Sequence, residues 1–133
     1  MQKPRVKAAI GYVRVNGHWT LVLDETTWVC RDLGLQRDVD SALFQFRSLN
    51  ASIILSAQRP SWIGRFALSS PRFLILFQTN DDQDRKSLGE ISAMDTKAVR
   101  QIVGDLDFGR HECLLLDTYR RQMWRTIVTP GRA

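Results

Sequence analysis

"WTLVLDE" at residues 19–25 and "SIILSAQRP" at 52–60 are the two stretches whose reading decides the fold. Trp19 to Leu23 is almost wholly apolar and β-rich, the pattern of a central strand covered on both faces rather than an alternating surface strand. The run "SIILSA" at 52–57 repeats that pattern and is stopped by Gln58, Arg59 and Pro60. Pro60 cannot donate to a strand ladder, and it restrains Arg59 to extended geometry. Between the two, Asp38 to Leu49 reads as a helix, with Val39, Leu43 and Phe46 on one stripe and Ala42 beside it. The segment "TTWVCRDLGLQ" has no clear period, and Gly34 suggests a turn.

Working outward, Pro4 suits the first turn of a helix in which Val6, Ala9, Ile10 and Val13 share a face and Asn16 and Gly17 end it, although Tyr12 and Val13 also tolerate a strand. "SWIGRFALSS" reads as a loop with a short helix, and "RFLILF" at 72–77 as a third buried strand. A helix of about 81–91 follows, for which Thr79 with Asp82 and Asn80 with Gln83 each resemble a capping box. A second helix runs from Thr96 to Val103 after Asp95, and "ECLLLD" and "MWRTIV" around a polar turn form a hairpin. Strands alternating with helices predict an α/β layer structure with a mostly parallel sheet, flanking helices and a C-terminal β-hairpin.

At 133 residues and 44% hydrophobic the chain supports one modest core, so residues 1–133 are expected to form a single domain or part of one. Net charge is +5, which mildly favours a polyanionic partner. Cys30 and Cys113 lie far apart and outside any C-x-x-C pair, so the composition argues against a disulfide framework or a zinc site and for buried thiols in a reducing compartment. No apolar stretch reaches the ~18–20 residues that span a bilayer, and Gly11 interrupts the short apolar N-terminal region, which makes a cytoplasmic chain the default expectation.

Asp24 and Glu25 stand at the carboxyl end of a buried strand, where open α/β sheets bind their ligands. Two adjacent acids there can divide the labour of phosphoryl transfer: Asp24 on the metal side and Glu25 activating the attacking water. Gln58 occupies the corresponding end of the next strand, and its amide offers both a donor and an acceptor for reading a phosphate or a water. A metal-dependent nuclease built on Asp24 and Glu25 is the weaker alternative, because the sequence shows no obvious third carboxylate. His18 and His111 lack partners at metal-ligand spacing. Trp19, Trp28, Trp62 and Trp124 fit packing better than base stacking, and "TYRRQMWR" at 118–125 fits a solvated hairpin tip better than a nucleic-acid contact.

"WTLVLDE", a helix ending in "FRSLN", "SIILSAQRPSWI" and "FLILFQTNDDQDRKSLGEI" together resemble the second half of the P-loop motor ATPases of the FtsK/HerA type, over roughly residues 8–128. The resemblance implies part of a RecA-like P-loop NTPase fold, hydrolysing ATP with Mg²⁺ in a hexameric ring that moves double-stranded DNA. It implies that Asp24 is the Walker B aspartate, reaching Mg²⁺ through water, that Glu25 is the catalytic glutamate and that Gln58 is the sensor glutamine. Arg47 matches an arginine that reaches the neighbouring subunit's nucleotide, although a solvated helix-end cation reads the same way. Arg59 and Arg65, beside Gln58, become candidates for coupling hydrolysis to DNA.

The chain departs from that family in one respect that matters. No G-x-x-x-x-G-K-[ST] occurs, and each of the eight glycines is isolated, so the phosphate cradle, its lysine and its Mg²⁺-binding hydroxyl are absent. By itself the chain is expected to bind ATP poorly. The resemblance also implies that "SIILSA" and "RFLILF" flank a strand that the chain lacks. The expectation is therefore the C-terminal half of an ATPase domain, a truncated product or one part of a split enzyme, completed by a missing N-terminal half. A non-catalytic remnant or a DNA-binding or assembly module is the alternative.

Overall fold

The computed structural model describes residues 2–129, without the side chains of residues 65 and 66. Two compact units emerge, Met1–Ser70 and Pro71–Ala133.

In the first unit, α1 (Gln2–Asn16) lays Ile10 and Val13 into the core with Val6 and Ala9 packed alongside, which settles the helix-or-strand ambiguity in favour of the helix. Strand β1 (Thr20–Leu23) leads to a short helix α2 (Thr26–Arg31), then α3 (Gln36–Gln45), a 3₁₀ turn (Phe46–Leu49) and β2 (Ser52–Leu55). The region that lacked a sequence period is therefore helical: six residues give too few turns for a periodic stripe to show, yet Thr26, Val29 and Cys30 are buried. β1 and β2 pair in parallel, Thr20 opposite Ser52 and Leu23 opposite Leu55, as a crossover through helices requires. A second 3₁₀ turn (Pro60–Trp62) and α4 (Arg65–Ser69) close the unit.

Gly17 ends α1 in the left-handed region at φ 59°, and its amide donates to Val13 O at 2.9 Å. A Cβ there would lie 2.7 Å from the carbonyl oxygen of Leu49, a backbone atom that cannot step aside. Gly17→Ala therefore combines left-handed strain with a steric clash and should cost ~2 kcal/mol, read as a lowered denaturation midpoint at unchanged m-value.

In the second unit, β3 (Phe73–Phe77) precedes α5 (Asp82–Ile91), α6 (Thr96–Gly104), β4 (Glu112–Asp117) and β5 (Gln122–Ile127). The sheet order is β3-β4-β5, antiparallel throughout, with the expected terminal hairpin between β4 and β5. The α/β class thus holds, while parallel pairing among the described strands is confined to β1 and β2. Leu76, Leu114 and Leu116 pack on Leu88 of α5 and Val99 and Val103 of α6. Asp81 caps α5 by accepting from Asp84 N at 3.0 Å, which displaces the capping boxes expected at Thr79 and Asn80. The reason is position, since the chain turns helical only at Asp82 and the cap is the residue before it. Asp95 caps α6 in the same way, through Ala98 N at 2.9 Å.

The three apolar strands are packed on one face only within this chain. Val22 of β1 and Ile54 of β2 are each more than half exposed, and Phe73, Ile75 and Phe77 of β3 are about half exposed. Full coverage of both faces, expected from the apolar runs, is corrected to this extent. Among the described residues, β2 has no strand partner besides β1, and β3 none besides β4.

Candidate active site

The parallel register of β1 and β2 brings their carboxyl ends level, so Asp24 and Ser56 leave the sheet side by side. Ser56 N donates to Leu23 O at 3.0 Å, and Thr26 N donates back to Ser56 O at 2.9 Å, which ties the two exits together by backbone. Asp24 Oδ1 accepts both the Ser56 hydroxyl and the Glu25 amide, the latter at 3.0 Å. Both donors land on one oxygen, and among the described residues no hydrogen bond engages Oδ2.

Glu25 sits in the left-handed region, φ 51° and ψ 53°, immediately before α2. A non-glycine residue pays roughly 1 kcal/mol for that conformation, and such strain is concentrated at functional positions. There the Glu25 carboxylate accepts a hydrogen bond from the Gln58 side-chain amide, across 33 residues of sequence. Asp24, Glu25 and Gln58, expected to converge, do converge. Asp24 and Gln58 are exposed and Glu25 is half-buried, so the cluster lies open to an incoming ligand.

Ser56 was not singled out by sequence. Its signal was the strand register: once Leu23 and Leu55 pair, the residue after each must meet the other. Arg47 is exposed in the 3₁₀ turn after α3 and makes no contact with the acidic pair or Gln58 among the described residues. Arg59 lies with Arg31 against the Trp62 ring, their guanidinium carbons 5.0 and 4.9 Å from its centroid. The Arg65 side chain lies outside the described residues. Arg125 lies within β5 rather than at the hairpin tip, and it donates through Nε to Glu112 at 3.1 Å and through Nη2 to Asp105 O at 3.0 Å.

The remaining reactive groups are inert by environment. Cys30 and Cys113 are buried free thiols. Burial, reinforced by Asp40, pushes the Cys30 thiol up to about 11, where it stays protonated and a poor nucleophile. No group of three or more His, Cys, Asp and Glu residues among those described could cage a metal ion. No described helix is long and apolar enough to cross a membrane.

These features define an α/β fold with a carboxylate pair and a glutamine at the ends of its parallel strands. Among solved structures, the chain is similar to the genome packaging NTPase B204 from Sulfolobus turreted icosahedral virus 2 in complex with AMPPCP, at TM-score 0.71 and 17% identity, covering 93% of this chain and 59% of that one. The ATP-gammaS complex of the same protein gives 0.70 and 18%, with 92% and 59% covered. In sequence, 59 residues are 36% identical to the DNA packaging ATPase P9 of Enterobacteria phage PRD1, covering 44% of this chain and 26% of that protein. The chain thus spans about three fifths of B204 and the match about a quarter of P9. No protein-family profile matches.

Proposed function

We propose that residues 1–133 are one partial ATPase domain of a DNA-packaging motor, contributing the water-activating and phosphate-sensing half of its nucleotide site. The observation that carries this reading is the hydrogen-bonded cluster of Asp24, Ser56, Glu25 and Gln58 at the level ends of two parallel strands. The likeness to B204 and to P9 supports the motor class, and the B204 complexes with AMPPCP and ATP-gammaS support a nucleotide as the ligand.

The donor set suits Mg²⁺ held loosely. Magnesium keeps several waters and takes one or two carboxylates besides substrate phosphates, and Asp24, with Oδ2 left for it, fits a contact through water. When bound, the ion would neutralise charge on the transferred phosphoryl group. Glu25 takes the proton of the attacking water. Gln58 holds the Glu25 carboxylate in place and has a carbonyl oxygen to spare, so its amide can exchange that contact for a γ-phosphate oxygen or the water. In a homo-oligomeric ring, hexameric by resemblance, exposed Arg47 would serve the neighbouring subunit's nucleotide as an arginine finger. Arg59 and Arg65 would link the Gln58 loop to double-stranded DNA.

The phosphate cradle must come from elsewhere, because the chain has no G-x-x-x-x-G-K-[ST]. The test is ATP hydrolysis by the chain alone and by the chain completed with a segment carrying such a loop. Turnover should appear only on completion. Failure of every folded, nucleotide-binding completion to hydrolyse ATP would favour a non-catalytic assembly module instead.

A further inference from the structure

The second unit carries a basic hollow that the nucleotide site does not use. Asp82 and Arg85 of α5 and Lys97, Arg100 and Gln101 of α6 line an open cavity of about 330 Å³. Asp82 Oδ1 accepts from Arg100 Nη2 at 2.8 Å and pairs with Arg85 Nη2 at 3.6 Å, so one carboxylate fixes two guanidiniums taken from different helices. The Arg100 hydrogen bond and charge hold the Asp82 carboxyl below its ordinary value, so it stays ionised at neutral pH. Gly104 makes room for Arg85, since a Cβ there would lie 2.7 Å from Nη1.

Among the described residues, Arg85 Nε is buried and donates to no acceptor. A buried donor left unpaired is costly, and a guanidinium has five N–H groups of which a shared carboxylate uses few. Three cations therefore share one carboxylate around this open space, and the excess of positive charge with its remaining exposed N–H groups favours an oxyanion. No aromatic or apolar side chain lines the space, so it offers nothing to stack a base on. Being open to solvent, it can admit a phosphate that belongs to a continuous strand.

We propose that this hollow binds a backbone phosphate of DNA through Arg85, Lys97 and Arg100. The inference rests on the motor reading only in naming DNA as the source of the phosphate; the cationic hollow stands without it.

The experiment is fluorescence anisotropy of a short labelled duplex titrated with the 133-residue chain across a salt series. Lys97→Gln with Arg100→Gln should weaken binding ~10-fold and flatten the slope of log K against log salt by about one, the share of one neutralised phosphate. Lys3→Gln with Arg5→Gln removes the same charge from α1 and should leave both quantities near those of the parent chain. Equal losses in the two pairs would show a diffuse effect of net charge and overturn the proposal. Because Arg100→Gln also releases Asp82, Lys97→Gln alone is the second variant, with an unchanged thermal melt and a loss of a few-fold expected; a full retention of affinity counts against the site. Inorganic phosphate and ATP serve as competitors. Weak competition by phosphate supports the shared chemistry, whereas binding of either competitor by a chain that does not bind the duplex overturns DNA as the source. ATP turnover of the completed protein is read separately, so loss of DNA binding with hydrolysis intact speaks to this hollow, and loss of hydrolysis with DNA binding intact speaks to Glu25.

Discussion

Glu25→Gln should lower kcat of the completed protein by about 10² or more while leaving nucleotide affinity within about threefold. The substitution removes the proposed proton acceptor and almost nothing else. A glutamine side chain has the same length, and its amide oxygen can still accept from Gln58, so the loop between β1 and α2 keeps its hydrogen bond. Thr26 N still donates to Ser56 O, and the Asp24 carboxylate proposed to face Mg²⁺ is untouched. Steady-state hydrolysis beside equilibrium nucleotide binding separates the two quantities. A variant that bound ATP tenfold more weakly but turned it over at the parent rate would assign Glu25 to binding rather than to water activation.

Phe46→Ala should be the most damaging single core change in the first unit, at ~3–5 kcal/mol. Phe46 is 2% exposed and packs among Val39, Ala42 and Val13 where α3 gives way to the 3₁₀ turn. Its carbonyl accepts from Ala51 N at 2.9 Å, so the same residue aims the chain into β2 and hence sets where Gln58 emerges. A unit of about 70 residues sits at the low end of the usual 5–15 kcal/mol, so most of its stability is at stake. The thermal midpoint should fall by ~15 °C or more. Phe44→Ala is the internal control: its ring is 71% exposed, and its loss should cost under about 1 kcal/mol.

Much of this was legible in the sequence, for identifiable reasons. The apolar runs at β1, β2 and β3 announced strands because nothing in them competed, and the stripe of Val39, Leu43 and Phe46, with Ala42 beside it, announced α3 because its period is helical. The acidic pair and Gln58 could be read as one site because two parallel strands joined by a crossover end on the same side. Helix α2 escaped notice because it is too short to show a period. Ser56 escaped because its meaning depends on register rather than on its neighbours in sequence. Periodicity also reports what a strand's side chains require, not which element covers them, so the apolar outer faces of Val22, Ile54 and Phe73 were read as buried although this chain leaves them open. An apolar run also does not say whether its neighbour runs parallel or antiparallel, so the antiparallel pairing of β3 with β4 was not legible in it.

The central proposal is that Glu25 and Gln58, joined by a hydrogen bond across the strand ends, act as one unit on one phosphate. The most direct measurement is a double-mutant cycle on single-turnover ATP hydrolysis by the completed protein. Gln58→Ala should slow the chemical step by about tenfold in the parent background and by less than about threefold once Glu25 is already glutamine, because the residue it positions has lost its function. The same tenfold loss in both backgrounds, or no loss in either, would contradict the account.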